Sequence, residues 1–227
     1  MSRIAEPLED AIRSRHSIRR FLPTPVPREQ ILHLLDLAAC APSGVNTQPW
    51  HVYVLTGESR QKLTDALLAE FANPSFERRG EYDYYPAQWT EPYRARRRDT
   101  GQRLYSLLGI EKGDNARMQE QWARNYAFFD APVGLIFTLD RVLGQGSLID
   151  YGAFLQTLMI AARGAGLDTC VQAAFTEYHP VIRAQLQIPE AQMVLCGMSL
   201  GHADPDAPEN RLVLPRIPAS GFTQFRD

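Results

Sequence analysis

The stretch Arg15-His16-Ser17-Ile18-Arg19-Arg20-Phe21, called the basic stretch below, concentrates guanidinium groups, an imidazole and a hydroxyl without any carboxylate among them. Apolar residues at Leu8, Ala11 and Ile12 predict a helix over residues 7–15 that leads into it. Arginine side chains pair with phosphate oxygens, and a nearby hydroxyl or free backbone N–H completes such a site. The basic stretch therefore suggests a site for a phosphate monoester. The alternative is a solvated cluster of cations at the negative end of a helix.

The overall composition limits the class of protein. The chain has 227 residues, which is enough for one large domain with a sizeable core. Its 24 Lys+Arg against 26 Asp+Glu leave a formal charge of −2, which argues against a nucleic-acid partner. With 44% hydrophobic and 22% charged residues, the composition is typical of a folded globular protein rather than of a disordered one.

Cysteine usage and hydropathy predict a cytoplasmic protein without membrane association. The 3 cysteines, Cys40, Cys170 and Cys196, form no CxxC pair and lie among apolar residues, which is typical of reduced thiols. The first ten residues contain three acids and no apolar core, so we expect no signal peptide. The longest apolar run, over residues 128–139, is interrupted by a carboxylate and a proline and is shorter than the roughly 20 residues that span a bilayer.

A second polar segment is Ala41-Pro42-Ser43-Gly44-Val45-Asn46-Thr47-Gln48-Pro49-Trp50, called the polar loop below. It follows a predicted amphipathic helix over residues 28–39 and precedes a predicted strand over residues 51–55. Asn46 and Gln48 each offer donors and acceptors, which suit a flat heteroaromatic ligand. The alternative is a tight turn whose side chains cap their own backbone. Beside a phosphate site, the polar loop suggests a mononucleotide with an isoalloxazine ring.

Together these two segments resemble the FMN-dependent nitroreductase family, and the similarity covers nearly all of the chain. The resemblance implies an α+β fold with a small mixed sheet flanked by helices, in an intertwined homodimer with two FMN sites at the subunit interface. Around the FMN phosphate and ribityl chain it places Arg15, His16, Ser17 and Arg19. The resemblance also implies that the partner subunit lends a loop to the same flavin. The residues that match this loop are Pro42, Ser43, Gly44 and Asn46.

The resemblance implies further cofactor contacts downstream. Asn125 is the nearest match to a polar side chain at the flavin pyrimidine edge, and a satisfied helix-end asparagine is the alternative. Residues 168–175 are predicted as a core strand whose end, Gln172-Ala173-Ala174, would bring main-chain amides to the flavin near N5; close packing is the alternative. Members of the family often have Glu-Gly at the two alanines, so no glutamate role is transferred. Arg216 matches a basic residue that returns to the FMN phosphate.

A long helix is predicted from Ser147 to Gly164 or Gly166, with Ser147 and Asp150 as a capping box. Its apolar residues cover more than one face, so we expect burial nearly all round, and in the resembled family the equivalent helix runs through the dimer core. Residues 193–201 predict a strand at the sheet centre and residues 178–187 a short helix. The preceding Gly144-Gln145-Gly146 lacks the third glycine and the βαβ context of a dinucleotide fingerprint, so we predict no Rossmann site.

The whole chain, residues 1–227, is predicted as a single nitroreductase-like FMN-binding domain with an insertion at about residues 71–121, called the excursion below. The excursion is rich in tyrosine, tryptophan, proline and arginine, and clean helical spacing returns only after about Arg98. Its aromatic side chains could line a pocket for a flat ligand, or form the core of a surface subdomain with a solvated basic helix. The excursion resembles that of nitroreductases acting on substituted nitrobenzenes.

These features predict an FMN flavoenzyme in which hydride from NAD(P)H passes through flavin N5 to an electron-poor acceptor. The expected substrate is a nitroaromatic, reduced two electrons at a time to nitroso and hydroxylamine. The chain has no convincing hydrolytic triad or paired-carboxylate set, and His179 and His202 lack a second ligand at metal spacing, so we predict no metal site. The alternatives are quinone reduction, reductive dehalogenation or flavin fragmentation on the same fold, and a non-enzymatic flavin-binding module.

Overall fold

The structure, a computed structural model, describes residues 6–226. Within them the α-helices are Glu6–Ser14 (α1), Arg28–Ala38 (α2), Gly57–Ala72 (α3), Tyr93–Leu107 (α4), Asn115–Ala123 (α5), Gly146–Gly164 (α6) and His179–Leu186 (α7). The strands are His51–Thr56 (β1), Val133–Asp140 (β2), Asp168–Gln172 (β3) and Gln192–Gly201 (β4). The helices predicted over residues 7–15, 28–39 and 178–187 are each confirmed to within one residue at either end. No helix in the described part of the chain is long and apolar enough to cross a bilayer.

The four strands form one sheet in the order β1-β2-β4-β3, and each neighbouring pair is antiparallel. β2 and β4 are the inner strands, which confirms the prediction for residues 193–201. The parallel component is a single bridge between Ser17, in the basic stretch, and Thr169 in β3. The expected α+β fold with a small sheet flanked by helices is confirmed, and its mixed character within residues 6–226 rests on this bridge.

Helices cover both faces of the sheet. Neighbouring residues of a strand point to opposite faces, so apolar side chains on each face pack against the helices there. Leu135 and Phe137 of β2 join a core formed with α2 and α6, whereas Ile136 between them joins a second core formed with α3 and α7. All three side chains are fully buried. The strand therefore shows a continuous apolar sequence, as expected when both faces of a sheet are covered.

Three local predictions are corrected by the structure. α6 begins without the predicted capping box: Gln145 is its N-cap without a side-chain hydrogen bond, and Asp150 Oδ2 instead accepts a hydrogen bond from the Gly44 N–H at 3.2 Å. β3 ends at Gln172, where the predicted strand would have continued, and Ala173–Tyr178 forms a 3-10 helix. α4 begins at Tyr93, earlier than the apolar spacing indicates. The start of this helix is not visible in the sequence, because α4 buries none of its residues and so shows no apolar stripe.

Candidate active site

The basic stretch leaves α1 and lies against the edge strand β3. The Ile18 N–H donates to the Thr169 carbonyl at 3.1 Å, next to the bridge that joins Ser17 to Thr169. Ile18 is buried in the core. Because successive side chains of extended backbone point to opposite faces, those of Ser17 and Arg19 face away from the core. The alternation of the sequence here therefore separates a core-facing residue from the candidate ligand-binding residues.

Asn210, far away in the sequence, fixes the position of this stretch. Its Oδ1 accepts from the main-chain N–H groups of Arg19 at 2.7 Å and Arg20 at 3.2 Å. Its Nδ2 donates to the carbonyls of Arg20 at 2.8 Å and Asp204 at 2.9 Å. The His16 ring lies 2.9 Å from the Ser14 carbonyl through Nδ1 and 2.8 Å from the Asn210 carbonyl through Nε2, and a neutral ring donates to one of these two acceptors. His16 thus helps to position the stretch.

Arginines in this region divide into paired and unpaired groups. Arg20 contacts Asp130 at 2.9 Å and the buried Glu209 at 3.5 Å, and Arg124 donates to Glu209 at 2.6 Å. Arg15, Arg19 and Arg216, by contrast, have no carboxylate within 4.0 Å among residues 6–226. The three predicted phosphate ligands therefore keep their positive charge uncompensated.

Arg15 and Arg216 lie close enough to affect each other. Burial lowers the pKa of the Arg15 guanidinium, and the positive charge of Arg216 lowers it further. Arg216 Nη1 donates only to main-chain carbonyls, those of Leu214 at 3.0 Å and Pro215 at 3.4 Å. Two neighbouring cations without an acid partner favour a bound anion, and guanidinium groups are well suited to a phosphate.

A cavity of about 480 Å³ opens onto Arg19 of the basic stretch, whereas Arg15 and Arg216 do not line it. Five predicted site residues line it: Arg19, Asn125, Gln172, Ala173 and Ala174. Cys170 lines it as well, and burial raises the pKa of this thiol while the nearby Arg19, Ser17 and Arg15 oppose that rise. Cys170 therefore connects the cavity to the basic stretch behind it.

The side chains of Gln172 and Asn125 are engaged within the protein. Gln172 is 3% exposed; its Nε2 donates to the Asn125 carbonyl at 2.7 Å and its Oε1 accepts from Ser199 Oγ at 2.7 Å. The Asn125 amide donates to the Trp122 carbonyl at 3.0 Å, which is the helix-end interaction considered as its alternative. Both residues border the cavity, but Gln172 acts by joining the segment after α5 to the sheet.

Ala173 and Ala174 begin the 3-10 helix at the point where β3 ends. Thr176 Oγ1 donates to the Ala173 carbonyl at 2.8 Å and closes this turn. Each alanine contributes only a methyl group to the cavity, so a planar ligand can approach the main chain closely. This is the arrangement that the main-chain prediction for residues 173 and 174 requires.

The polar loop is not brought to this cavity in its own chain. Ser43 Oγ accepts from the Gln48 N–H at 3.0 Å, as in the self-capping alternative, and Gly44–Asn46 forms a 3-10 turn. Val45 is 100% exposed and has a φ of 46°, in the left-handed region that valine rarely adopts. The four predicted loop ligands do not border the cavity that the described residues form. They are Pro42, Ser43, Gly44 and Asn46.

The excursion supplies aromatic side chains to the cavity. Tyr82, Tyr84 and Tyr85 of the excursion line it, together with Trp122 just after the excursion, as the pocket-lining alternative expects. The arginine-rich helix α4 is the solvated helix that the other alternative describes, since its Arg94 and Arg103 are exposed and pair with Glu91 and Asp99 of the same segment. Sequence reasoning did not identify Asn210 or Glu209, whose partners lie far away along the chain.

The fold and the site together define an α+β protein with an aromatic-walled cavity that opens onto Arg19 of the basic stretch. Residues 12–202 match the Nitroreductase family, and the chain belongs to that family. It is 43% identical over 218 residues to a nitrobenzene nitroreductase of Ectopseudomonas oleovorans, with 96% of each chain covered. It is 42% identical over 225 residues to a 4-nitrobenzoate reductase of Pseudomonas putida, covering 99% of this chain and 98% of the relative.

The fold also matches a solved structure of the same kind. The FMN-dependent nitroreductase NfnB from Mycobacterium smegmatis, in complex with NADPH, has a TM-score of 0.92 and is 33% identical, with 98% of this chain and 99% of that chain covered. The correspondence includes the excursion, because nearly all of both chains is aligned.

We expect Asn210→Ala to destabilise the protein by about 2 kcal/mol or more, because it leaves the partly buried N–H groups of Arg19 and Arg20 without their acceptor. Urea unfolding followed by far-UV circular dichroism measures this change. The control is Asn115→Ala, an exposed residue at the start of α5, with an expected change within about 0.5 kcal/mol. Equal stability of the two variants would contradict the role assigned to Asn210.

Proposed function

We propose that the protein is an FMN-dependent oxidoreductase that uses NAD(P)H to reduce nitroaromatic compounds to nitroso and hydroxylamine products. The observation that carries this proposal is the pair Arg15 and Arg216, which has no carboxylate partner among residues 6–226, in a chain of the Nitroreductase family. Cys170 is near Arg15 and Arg19 and lines the aromatic cavity, so it connects the pair to that cavity. The names of the relatives support the substrate class, since two of them are a nitrobenzene nitroreductase and a 4-nitrobenzoate reductase.

The residues present fit FMN. Arg15 and Arg216 would hold its phosphate, with Ser17 and Arg19 beside them, and the small turn at Ala173 and Ala174 would face its ring. FMN, when bound, would supply the redox chemistry for a two-electron transfer from NAD(P)H to the acceptor. The polypeptide contributes binding and orientation: the cations fix the anionic end, and the cavity fixes the position of the flat ligands.

The excursion contributes the other wall of the cavity. The rings of Tyr84 and Tyr85 lie 4.7 Å apart, nearly perpendicular to one another, and both line the cavity. Aromatic faces of this kind stack on electron-poor rings and keep water away from them. We assign residues 1–227 to one domain and the stretch at about 71–121 to a functional insertion in it. Protons for the reduction can come from solvent.

The same proposal includes a homodimer in which each subunit lends its polar loop to the neighbouring FMN. Exposure of Val45 supports this assignment, because the loop does not serve the cavity of its own chain. Large apolar side chains that the single chain leaves mostly exposed also support it: Ile149 at 78%, Phe222 at 71% and Phe225 at 89%. α6, predicted as buried nearly all round, keeps Leu155, Met159 and Ile160 only half-buried in one chain. We place the protein in the cytoplasm because its three cysteines are unpaired.

Anaerobic spectroscopy tests the reaction. We expect NADPH or NADH to bleach the yellow colour of the purified protein, and nitrobenzene to restore it with formation of nitrosobenzene or phenylhydroxylamine. Quinones and halogenated aromatics serve as competing acceptors under the same conditions. A flavin that neither coenzyme bleaches, or one that is reoxidised only by a competing acceptor, would contradict the proposal.

We expect the double substitution Arg15→Ala and Arg216→Ala to weaken FMN binding by about a hundredfold or more, because each charge-assisted hydrogen bond contributes about 1.5–3 kcal/mol. Flavin content after purification and titration of the apoprotein with FMN measure the loss. Arg13→Ala is the control, since Arg13 is exposed and contacts Glu9 at 2.6 Å. Equal FMN affinity of the double variant and the control would exclude this pair as the phosphate site.

Mixed dimers test the exchange of the polar loop. One chain carries Arg15→Ala and Arg216→Ala, and the other carries Asn46→Ala. If the loop serves the partner, the mixed dimer has one site with both defects and one intact site. We therefore expect about half of the wild-type flavin content in it, and less in either variant alone. No recovery of flavin in a mixed dimer, or a mass equal to the single 25.6 kDa chain, would contradict the shared site.

A further inference from the structure

The excursion reaches the cavity through a short segment whose first charged residue is held by aromatic rings. The Arg78 guanidinium carbon lies 4.9 Å from the ring centroid of Phe71, 5.7 Å from that of Trp122 and 5.8 Å from that of Tyr178. Arg78 Nη2 also donates to the Phe71 carbonyl at 3.0 Å. Cation–π contacts with three rings fix this end of the segment to α3, α5 and the 3-10 helix that follows β3.

Glu81, three residues later, is the second fixed point. Its side chain is 4% exposed, and its Oε1 accepts hydrogen bonds from Arg183 at 2.9 Å and from Arg141. Its Oε2 accepts from the Val194 N–H at 2.7 Å, and Nδ1 of His179 lies 3.6 Å from Oε1. Burial alone raises the pKa of Glu81, but the Val194 N–H, Arg141 and His179 outweigh this effect and keep the pKa below its ordinary value.

The partners of Glu81 belong to different parts of the scaffold. Arg141 follows β2, Arg183 lies in α7 and Val194 lies in β4. The Tyr82 hydroxyl donates to the carbonyl of Leu195 at 2.6 Å, so two consecutive residues of the excursion are bonded to the main chain of β4. A buried carboxylate with this set of donors is costly to release, because the Val194 N–H would lose its acceptor and two arginines would lose their acidic partner.

Glu81 does not border the cavity itself, but the residues on both sides of it do. Gly80 precedes it, and Tyr82, Tyr84 and Tyr85 follow it in the cavity wall. The rings of Tyr84 and Tyr85 are 54% and 60% exposed, so packing from the core fixes them only in part. Their distance from the opposite wall, near Ala173 and Ala174, is therefore determined largely by where the chain leaves Glu81 and Tyr82.

We propose that Glu81 is a positioning residue for the acceptor: it holds the tyrosine wall of the cavity at the distance at which a flat nitroaromatic is bound. This inference rests on the proposed function for the identity of the ligand. The anchoring of the wall does not depend on the identity of the ligand, because it rests on the contacts of Glu81, Arg78 and Tyr82 within the protein. Glu81 contacts none of the residues proposed to hold the FMN phosphate, so we expect its loss to weaken acceptor binding while the flavin stays bound.

The test compares three variants of the FMN-loaded protein, with nitrobenzene as acceptor and saturating NADPH. Glu81→Gln keeps a carbonyl oxygen for the Val194 N–H and removes the charge that pairs with Arg141 and Arg183. Arg141→Gln removes the more exposed of these two partners and is the milder variant. Glu91→Gln is the control, because Glu91 is an exposed carboxylate of the same excursion that pairs with Arg94 at 2.9 Å.

For Glu81→Gln we expect the KM for nitrobenzene to rise on the order of tenfold and kcat to change by less than about twofold, which is the pattern of lost ground-state binding. We also expect faster amide hydrogen exchange over residues 78–85 and unchanged flavin content. Arg141→Gln should change KM in the same direction by a smaller factor, and Glu91→Gln should change neither KM nor exchange. If Glu81→Gln does not fold, the comparison of Arg141→Gln with Glu91→Gln decides the matter in the same way.

An unchanged KM together with faster exchange would show that the wall moves without affecting the acceptor and would refute the positioning role. A fall in kcat at constant KM would also refute it. Failure of the proposed function gives a different result: the wild-type protein would then bind no FMN or would not reduce nitrobenzene. In that case the acceptor role falls with the proposed function, whereas slower exchange in the wild type than in Glu81→Gln would still establish the anchor.

Discussion

The structure depends on holding the basic stretch in place without giving Arg15 and Arg19 an acidic partner among residues 6–226. Main-chain pairing with Thr169 and four side-chain hydrogen bonds of Asn210 accomplish this. A carboxylate in either role would neutralise the cations that are meant to bind an anion. The two carboxylates in this region instead pair with Arg20 and Arg124, so structural arginines are neutralised and binding arginines are not.

The cavity follows from a change of backbone conformation at one point. β3 is held in the sheet by β4 up to Gln172 and then turns into a 3-10 helix at two alanines. The side chain of Gln172 links Asn125 to Ser199 of β4, so the floor of the cavity and the segment after α5 are joined to one strand. Rigid main chain forms one wall and aromatic side chains form the other, which suits a site that binds flat molecules in turn.

The sequence predicts the parts of this fold that have a periodic buried face. β4 and α2 are found where alternation or helical spacing places them, whereas α4 buries no residue and begins earlier than expected. The capping box at Asp150 fails because a tertiary partner, the Gly44 N–H, takes that carboxylate. The basic stretch and the cavity turn are recognisable from local motifs. Asn210 and Glu81 are not, because their partners lie 191 and 113 residues away along the chain.

The exposed, left-handed Val45 has a thermodynamic consequence for the proposed dimer. A valine at a φ of 46° carries conformational strain on the order of 1–3 kcal/mol, and in the isolated chain no burial of its side chain offsets that cost. If contacts across the subunit boundary provide the offset, occupancy of the flavin site and self-association become coupled equilibria. Reciprocity of linkage then requires that filling the site tightens the assembly by the same factor by which assembly tightens the site. Dilution alone would therefore draw the cofactor out of the protein.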